Sequence, residues 1–348
     1  MDAWKEKTEQ SKLTLLGLIM AGQCEMQRRR ERIERNDQIR NFRQFVKKFS
    51  FAKHVSKLAF DIYSSSPAFG DNNKIVCFQR GVNHPDFAIV EDRRIRAFVL
   101  VVRGTGDAKD IVIDLDSEES PFFDGHAHTG ILTGAREILK KAKPILEEVL
   151  RKEPSYKLVI TGHSLGAGTA ELITMTILLN KREFSGLLLD GVRCVAFAPP
   201  PVYRSPRQLP DEVVSSIDIY INNFDCVPSL SLGVVVKLYT TMVRVDKLRL
   251  SPIEIGLILA GIGNMDKLIH AIETTEQNNV PYLHHPGTIF HLQESDNTYL
   301  TFKKPSEIFS RALTVRHCMV LDHLDNSYKA AFTKIQADIE RAGFFWTL

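Results

Sequence analysis

The clearest indication of the fold is the segment Leu158-Val159-Ile160-Thr161-Gly162-His163-Ser164-Leu165-Gly166. Its first part is a short apolar run typical of a buried strand, and a helical pattern begins at Ala167. A Gly-x-Ser-x-Gly sequence between a strand and a helix is typical of a nucleophile elbow, a sharp turn that lifts the serine Oγ above the sheet. The flanking glycines let the helix and the neighbouring strands come close to the turn. The sequence therefore predicts that Ser164 is a nucleophile.

Strand and helix patterns alternate on both sides of this turn. Predicted strands cover Lys74–Phe78, Phe87–Val90, Ile95–Val102, Lys157–Thr161, Arg193–Phe197, Ser216–Asn222 and Thr288–Leu292. Predicted helices run from Asn36 to the Ser64-Ser65-Ser66-Pro67 break and over Thr129–Arg151, Ala167–Asn180 and Asn326–Ala342. Residues 107–128 are acidic and are expected to be irregular. Strands that alternate with helices predict parallel βαβ units. We therefore expect an α/β fold with a mostly parallel central sheet flanked by helices, and together with the elbow this predicts an α/β-hydrolase fold.

The composition is that of a folded globular protein. Of the 348 residues, 44% are hydrophobic and 25% are charged. No stretch reaches the roughly 18 apolar residues of a transmembrane helix. Five scattered cysteines without a Cys-x-x-Cys pair argue against a disulfide framework and a zinc cluster. Because this usage favours a reducing compartment, we expect a cytoplasmic protein, with peripheral attachment to membranes as an additional property.

The chain divides into a basic helical N-terminal arm, residues 1–60, and an α/β-hydrolase domain, residues 61–348. The arm carries 14 Lys and Arg against 7 Asp and Glu, and it contains the apolar run Leu13–Ala21 and an arginine-rich stretch, residues 28–35. Residues 229–285 break the strand–helix rhythm and are interpreted as an insertion, which contains the apolar stretch Ile255–Ile262. These features predict either docking on an anionic lipid surface or ordinary packing and solvation of helix faces.

A serine hydroxyl needs a base and an orienting carboxylate to become a nucleophile at neutral pH. In α/β-hydrolases these partners follow in the chain order Ser, Asp, His. Asp225 lies in the turn directly after a predicted strand, where its carboxylate faces the upper edge of the sheet. Asp218 lies inside that strand and Asp190 precedes another, so both fit less well but remain open.

Several histidines compete for the role of the base. His323 lies in the loop before the closing helix, where the base of this fold is normally found. The other candidates beyond Asp225 are His270, His284, His285, His291 and His317. His126 and His128 form a His-x-His pair, but no third ligand at a suitable spacing supports a metal site, so structural roles are favoured for both.

An oxyanion hole needs two N–H donors close to the nucleophile. One is the backbone N–H of Leu165, the residue after the nucleophile. The second is expected from a loop after an early strand, and Arg103-Gly104-Thr105 ends the buried strand Ile95–Val102.

A set of motifs spread over residues 60–345 resembles the class 3 lipases, and within that family it is most similar to the sn-1-specific diacylglycerol lipases. The motifs are Arg103-Gly104-Thr105 with Lys109-Asp110, His128-Thr129-Gly130, residues 158–169, Ala196-Phe197-Ala198-Pro199-Pro200, residues 225–231, His285-Pro286-Gly287 and Asp322-His323. The resemblance implies that Ser164, Asp225 and His323 form the catalytic triad, and that Thr105 and Leu165 form the oxyanion hole.

The resemblance has three further implications. It implies structural roles for Asp110, His128 and His285. It implies a mobile lid near the irregular segment and a regulatory insertion that corresponds to residues 229–285. It implies no cofactor and no catalytic metal.

The expected function is hydrolysis of carboxylic esters in glycerolipids at a membrane or droplet surface, at the sn-1 position of diacylglycerol. The first alternative is a phospholipase A1, a triacylglycerol lipase or a soluble esterase of the same fold. The second is a non-catalytic lipase-fold scaffold, and no nucleic-acid partner is expected. Because the triad positions lie beyond residue 100, we expect hydrolysis of a short, water-soluble ester not to depend on residues 1–35.

Overall fold

Ser164 follows a central strand of an eight-stranded sheet in the computed structural model. The structure describes residues 12–27, 42–64, 67–70, 73–81, 84–104, 118–187, 191–275, 282–295, 298–306, 309 and 313–341. Its strands are β1 (Asn73–Gln79), β2 (Phe87–Asp92), β3 (Ala97–Val102), β4 (Glu119–Phe122), β5 (Gly125–His128), β6 (Lys157–His163), β7 (Arg193–Phe197), β8 (Tyr203–Arg204), β9 (Ile217–Asn222), β10 (Thr288–Ser295) and β11 (Thr298–Lys304).

The order of strands in the large sheet is β1-β2-β3-β6-β7-β9-β10-β11. Neighbouring strands from β3 to β10 pair in parallel, whereas β1, β2 and β11 pair antiparallel at the edges. The helices among the described residues are α1 (12–27), α2 (Phe42–Asp61), α3 (Thr129–Lys152), α4 (Leu165–Leu179), α5 (Asp211–Ser216), α6 (Leu232–Asp246), α7 (Pro252–Leu259), α8 (Asp266–Glu273) and α9 (Asp325–Arg341).

Helices cover both faces of the sheet, which explains why its central strands are apolar throughout. Leu100 and Val102 of β3 pack in the cluster of α3 and α4, while Val99 and Val101 point into the cluster of α2 and α9. Because successive strand residues face opposite sides, a strand buried on both sides reads as a continuous apolar run. The predicted layering, a mostly parallel sheet between helices, is confirmed.

The expectation that residues 107–128 are irregular is wrong for the end of that segment. Strands β4 and β5 form an antiparallel hairpin there, which pairs with β8 in a separate three-stranded sheet. These strands are only four residues long, and β4 begins with the polar residue Glu119. The Glu119 carboxylate accepts a hydrogen bond from Nε of Arg204 on β8. The remainder, residues 107–117, lies outside the described residues, together with Asp110 and the implied lid.

The sequence patterns also miss β11 and α5, and they place α4 two residues late. Helix α4 begins at Leu165, directly after the nucleophile. Helix α2 is described from Phe42 onward, and its phenylalanines Phe45 and Phe49 are buried as the helical pattern predicts. The arginine-rich stretch, residues 28–35, lies outside the described residues.

The apolar run Leu13–Ala21 lies on α1, which packs against the insertion. Leu18 and Ile19 are fully buried in a cluster with side chains of α7 and α8, including Ile258 and Leu268. The interior of this run therefore contributes to a protein core. None of the helices in the described ranges has the length and hydropathy required to cross a bilayer.

The described part of the predicted insertion is mostly helical between residues 232 and 273, and it exposes apolar side chains. One face of α6 exposes Leu232, Val235, Tyr239 and Val243, and α7 exposes Ile253, Leu257 and Leu259. Exposed positions three or four residues apart form a stripe along one side of a helix. The stretch Ile255–Ile262 therefore differs from Leu13–Ala21, since only Ile258 within it is buried.

Candidate active site

The backbone at Ser164 has the strained conformation of a nucleophile elbow. Its φ is 58° and its ψ is −131°, a region that side chains other than glycine rarely adopt. The turn is held because the Ser164 N–H donates a 2.9 Å hydrogen bond to the Phe197 carbonyl on β7. A Cβ at Gly162 would lie 2.5 Å from the Gly166 backbone, and one at Gly166 would lie 2.4 Å from the Val102 carbonyl oxygen. Both glycines are therefore required by close backbone approach.

His323 connects Ser164 to Asp225. The His323 Nε2 atom lies 3.0 Å from the Ser164 Oγ, and its Nδ1 lies 3.0 and 3.1 Å from the two carboxylate oxygens of Asp225. All three side chains are buried. When Nδ1–H donates to the carboxylate, the unprotonated Nε2 accepts the serine O–H proton. The structure thus brings together the three residues of the predicted triad.

Two further donors fix the Asp225 carboxylate. The Val227 N–H donates to Oδ1 at 3.0 Å, and the Tyr328 hydroxyl on α9 donates to Oδ2 at 2.7 Å. The Tyr328 oxygen also accepts the Asn222 N–H at 3.0 Å, so one buried phenol joins the strand end to the carboxylate. Burial raises the pKa of Tyr328 well above its ordinary value, and the phenol stays a donor. No local sequence pattern marks Tyr328 as a residue of the site.

His163, inside the elbow, supports the His323 loop. Its Nε2–H donates to the His323 carbonyl oxygen at 2.9 Å, and the two rings stack with centroids 4.7 Å apart. Complete burial, followed by the nearby His323, holds the pKa of His163 well below its ordinary value. His163 is therefore a neutral imidazole that holds the loop of the candidate base without adding a charge beside it.

The loop after β3 reaches the nucleophile through Gly104. A Cβ at this position would lie 2.5 Å from the His163 carbonyl oxygen and 3.3 Å from the Ser164 Cβ. The Gly104 N–H donates to the Tyr63 hydroxyl at 3.0 Å, so the turn that follows α2 holds this loop. Thr105 lies outside the described residues, one position beyond Gly104. The N–H of Leu165 is the first of α4, where N–H groups have no partner within the helix.

The competing candidates lie elsewhere. Asp218 is bound by the Lys48 ammonium from α2 at 2.5 Å, and Asp190 lies outside the described residues. His285 donates through Nε2–H to the Pro228 carbonyl oxygen at 2.8 Å, and His291 donates to that of Asn223 at 2.6 Å. The remaining histidines fit no better: His317 and His270 are exposed, and His284 forms a backbone bridge with Tyr203.

The His-x-His pair has structural contacts. His128 caps the N-terminus of α3, where its Nδ1 accepts the Ile131 N–H at 3.4 Å, and His126 pairs with Arg204 in the small sheet. Within the described part of the chain, no three His, Cys, Asp or Glu side chains cluster as metal ligands would.

Buried imidazoles beside the site predict a loss of stability in acid. Burial lowers the pKa of His291 to about 4, while an unfolded histidine titrates near about 6.5. Between these values the unfolded chain binds more protons, so stability falls as the pH drops from 6.5 to 4. We expect His291→Gln to reduce this pH dependence by roughly 1 kcal/mol per pH unit, measured by urea unfolding at pH 7, 6 and 5. The control is His317→Gln, at an exposed ring, and an unchanged slope in His291→Gln contradicts the prediction.

The chain is similar in sequence to known lipases over part of its length. Residues 99–234 match the family described as Lipase (class 3). Mouse diacylglycerol lipase-beta is 32% identical over 171 residues, which cover 45% of this chain and 23% of that protein. The chain spans less than a third of the length of the first curated relatives it matches.

Solved lipase structures share the fold. Rhizomucor miehei lipase in its propeptide complex superposes with a TM-score of 0.54 at 18% identity, over 81% of this chain and 80% of that one. A triacylglycerol lipase described as having a serine protease triad at its catalytic centre gives the same TM-score and identity, over 81% of this chain and 94% of its own. The expected α/β-hydrolase fold is confirmed. Residues 99–234 are thus similar in sequence to the class 3 lipases, and most of the chain shares the fold of the solved lipases.

Proposed function

We propose that this chain is a serine hydrolase that cleaves carboxylic esters through an acyl-enzyme on Ser164. The observation that carries the proposal is the continuous chain of contacts from Ser164 Oγ through His323 to Asp225, built on a strained elbow. A merely structural serine has no need of a buried imidazole and carboxylate in this order. Such a constellation, recognised by geometry and roles, is the device that activates a serine hydroxyl.

The chemistry follows from the positions of the protons. As Ser164 Oγ attacks the ester carbonyl carbon, its proton passes to His323 Nε2, and the negative charge of Asp225 stabilises the imidazolium. The tetrahedral intermediate collapses when Nε2–H protonates the departing alcohol oxygen, which leaves an acyl group on Ser164. Water then attacks this ester, its proton passes to Nε2, and the acid departs as Ser164 Oγ takes the proton back.

The oxyanion of both tetrahedral intermediates is assigned to the N–H groups of Leu165 and Thr105, with the Thr105 hydroxyl as a further donor. Gly104 beside the Ser164 Cβ supports this assignment, because it brings the loop to the nucleophile. Thr105→Val keeps the shape and the N–H, and we expect kcat to fall by about 10²–10³ with little change in KM. The control is Thr174→Val, at a buried hydroxyl that donates to the Ala170 carbonyl oxygen on α4. Full activity of Thr105→Val in a steady-state ester assay excludes the hydroxyl from the oxyanion hole.

The substrate class we propose is a glycerolipid presented at a lipid surface, cleaved at the sn-1 position of diacylglycerol. The match to mouse diacylglycerol lipase-beta supports the lipid class. Exposed apolar side chains beside the triad support the surface: Val320, Leu321 and Leu324 surround His323 on its loop. The exposed stripes of α6 and α7 add to this apolar area, and such areas on soluble folds mark lipid or protein contacts. All five cysteines are free, which supports a cytoplasmic enzyme in peripheral contact with membranes.

Identification of the products by mass spectrometry tests the substrate. Vesicles contain phosphatidylcholine, triacylglycerol and a diacylglycerol whose sn-1 and sn-2 chains differ in mass. The expected products are the free sn-1 acid and the 2-monoacylglycerol. Lysophospholipid as the main product identifies a phospholipase A1, and release from triacylglycerol alone identifies a triacylglycerol lipase. Turnover only of a dissolved ester identifies a soluble esterase, and no reaction with a fluorophosphonate probe identifies a non-catalytic scaffold.

A further inference from the structure

Helix α1 is bound by side-chain hydrogen bonds to the segment that leads into the His323 loop. The side-chain amide of Gln23 uses both ends: its Nε2 donates to the Leu313 carbonyl oxygen at 3.0 Å, and its Oε1 accepts the Val315 N–H at 2.8 Å. These contacts join residues about 290 positions apart in the chain. The side-chain amide pairs with a carbonyl and an N–H of one segment, as the backbone of a neighbouring strand would. It therefore fixes the position of that segment.

Arg316 extends this contact toward the acid. Its Nη2 donates to the Gln27 Oε1 on α1 at 2.8 Å, and its Nη1 donates to the Val315 carbonyl oxygen at 2.8 Å. The guanidinium lies over the Phe224 ring, 4.8 Å from the centroid, and Arg316 is buried. A buried guanidinium is held by all of these contacts at once, because each satisfies a different part of its planar group.

Phe224 and its neighbours join the two partners of Ser164. The Phe224 N–H donates to the Asp322 carboxylate at 3.2 Å, and the Asn222 side-chain amide donates to the Asp322 carbonyl oxygen at 3.1 Å. Asp322 immediately precedes His323, and Phe224 immediately precedes Asp225. The contacts of α1 thus end on the turn that carries the acid and on the loop that carries the base.

We propose that α1 is a positioning element of the active site, and that Gln23, Gln27 and Arg316 are positioning residues that set the His323 loop against the Asp225 turn. This inference rests on the proposed function, since it concerns the geometry of the same triad. It also replaces the expectation that short-ester hydrolysis is independent of residues 1–35. That expectation rests on the position of the triad beyond residue 100. In the folded chain, however, Gln23 of α1 is hydrogen-bonded to the segment that leads into the His323 loop.

A cavity behind the triad gives α1 a second connection to the acid. It has a volume of about 620 Å³, and its walls include Gln23 and Met26 of α1 on one side and Phe224 and Asp225 on the other. Helix α1 therefore forms part of the wall of a cavity that borders the Asp225 turn.

The decisive variant is Gln23→Met in the full chain, because methionine keeps the length and helix propensity of glutamine but offers neither hydrogen bond. The control is Leu268→Ala, which loosens the packing of α8 against α1 at Gly22 without changing a contact to Leu313 or Val315. Both variants are compared with the wild type for kcat and KM on a short, water-soluble ester, and for the rate of labelling by a fluorophosphonate. Amide hydrogen exchange of residues 313–324 is followed in parallel.

For Gln23→Met we expect kcat and the labelling rate to fall about 10–100-fold at nearly unchanged KM, because misplacement by about an ångström costs this much. We also expect faster exchange in residues 313–324. The control is expected to lower Tm while it retains kcat and the exchange pattern of this loop. Wild-type kcat in Gln23→Met, or an equal loss of kcat in Leu268→Ala, overturns the proposal.

Failure of the proposed function has a different signature. If the wild-type chain neither hydrolyses the ester nor reacts with the probe, the serine hydrolase assignment is wrong. Amide hydrogen exchange then still tests whether α1 holds the His323 loop in place. Faster exchange of residues 313–324 in Gln23→Met but not in Leu268→Ala supports that role of α1. Equal exchange in both variants overturns it. Gln27→Met, which removes the acceptor for the Arg316 Nη2 group, is expected to give a smaller change in the same direction.

Discussion

Replacement of Ser164 by alanine is expected to lower ester hydrolysis by about a millionfold and to remove labelling by a fluorophosphonate probe. The reason is that the three residues act as a unit, so loss of the nucleophile costs as much as loss of the whole triad. The change is small for the fold, because the only side-chain hydrogen bond of Ser164 among the described residues is its contact with His323 at 3.0 Å. The measurement is steady-state hydrolysis together with probe labelling, at an unchanged Tm.

A matched control distinguishes the nucleophile from other buried serines. Ser56 is also buried, and its hydroxyl donates to the Lys53 carbonyl oxygen within α2. We expect Ser56→Ala to keep both hydrolysis and labelling. If Ser164→Ala is still labelled at the wild-type rate, another residue is the nucleophile and the assignment is wrong.

Those parts of the fold that depend on local apolar patterns could be predicted from the sequence. Strand β7 runs over Arg193–Phe197 as predicted, and β9 and β10 begin within one residue of their predicted starts. A strand buried on both faces gives a continuous apolar run, which few other structures produce. The hairpin of β4 and β5 could not be predicted in this way, because its strands are four residues long and partly exposed.

The same limit applies to the site. The elbow is a local motif, and the resemblance to the class 3 lipases selects Asp225 and His323 from candidates that the chain order leaves open, so this triad could be proposed without the structure. Tyr328 and Gln23 could not be found, because each acts on a residue about 100 or more positions away. A single tyrosine or glutamine on a helix carries no local pattern that marks such a contact. Positioning residues of this kind become visible only once the chain is folded.

Asp225→Asn is the second substitution with a large expected effect, a loss of about 10⁴-fold in kcat. The carboxylate accepts from His323 Nδ1–H, the Val227 N–H and the Tyr328 hydroxyl, all of which are donors. An amide has one acceptor oxygen and one NH₂ group. If NH₂ faces the imidazole, His323 must adopt the other tautomer, in which Nδ1 accepts a hydrogen bond and Nε2 carries the proton. In this tautomer Nε2 can no longer take the serine proton. If NH₂ faces Tyr328 instead, the hydrogen bond to Nδ1–H survives, but no negative charge remains to stabilise the imidazolium.

The control for this prediction is the same substitution on β9, the strand that leads into the Asp225 turn. Asp218, near the start of β9, is paired with Lys48 of α2, so Asp218→Asn removes an equal charge without a change in the contacts of His323. We expect Asp218→Asn to keep the wild-type kcat, measured with the same ester and at equal occupancy of the folded state. Because Asp225 stabilises a charge that exists only after proton transfer, its loss is expected in kcat and not in KM. A rise in KM at constant kcat in Asp225→Asn would instead mean that this carboxylate binds substrate, and that His323 does not depend on it for its tautomer.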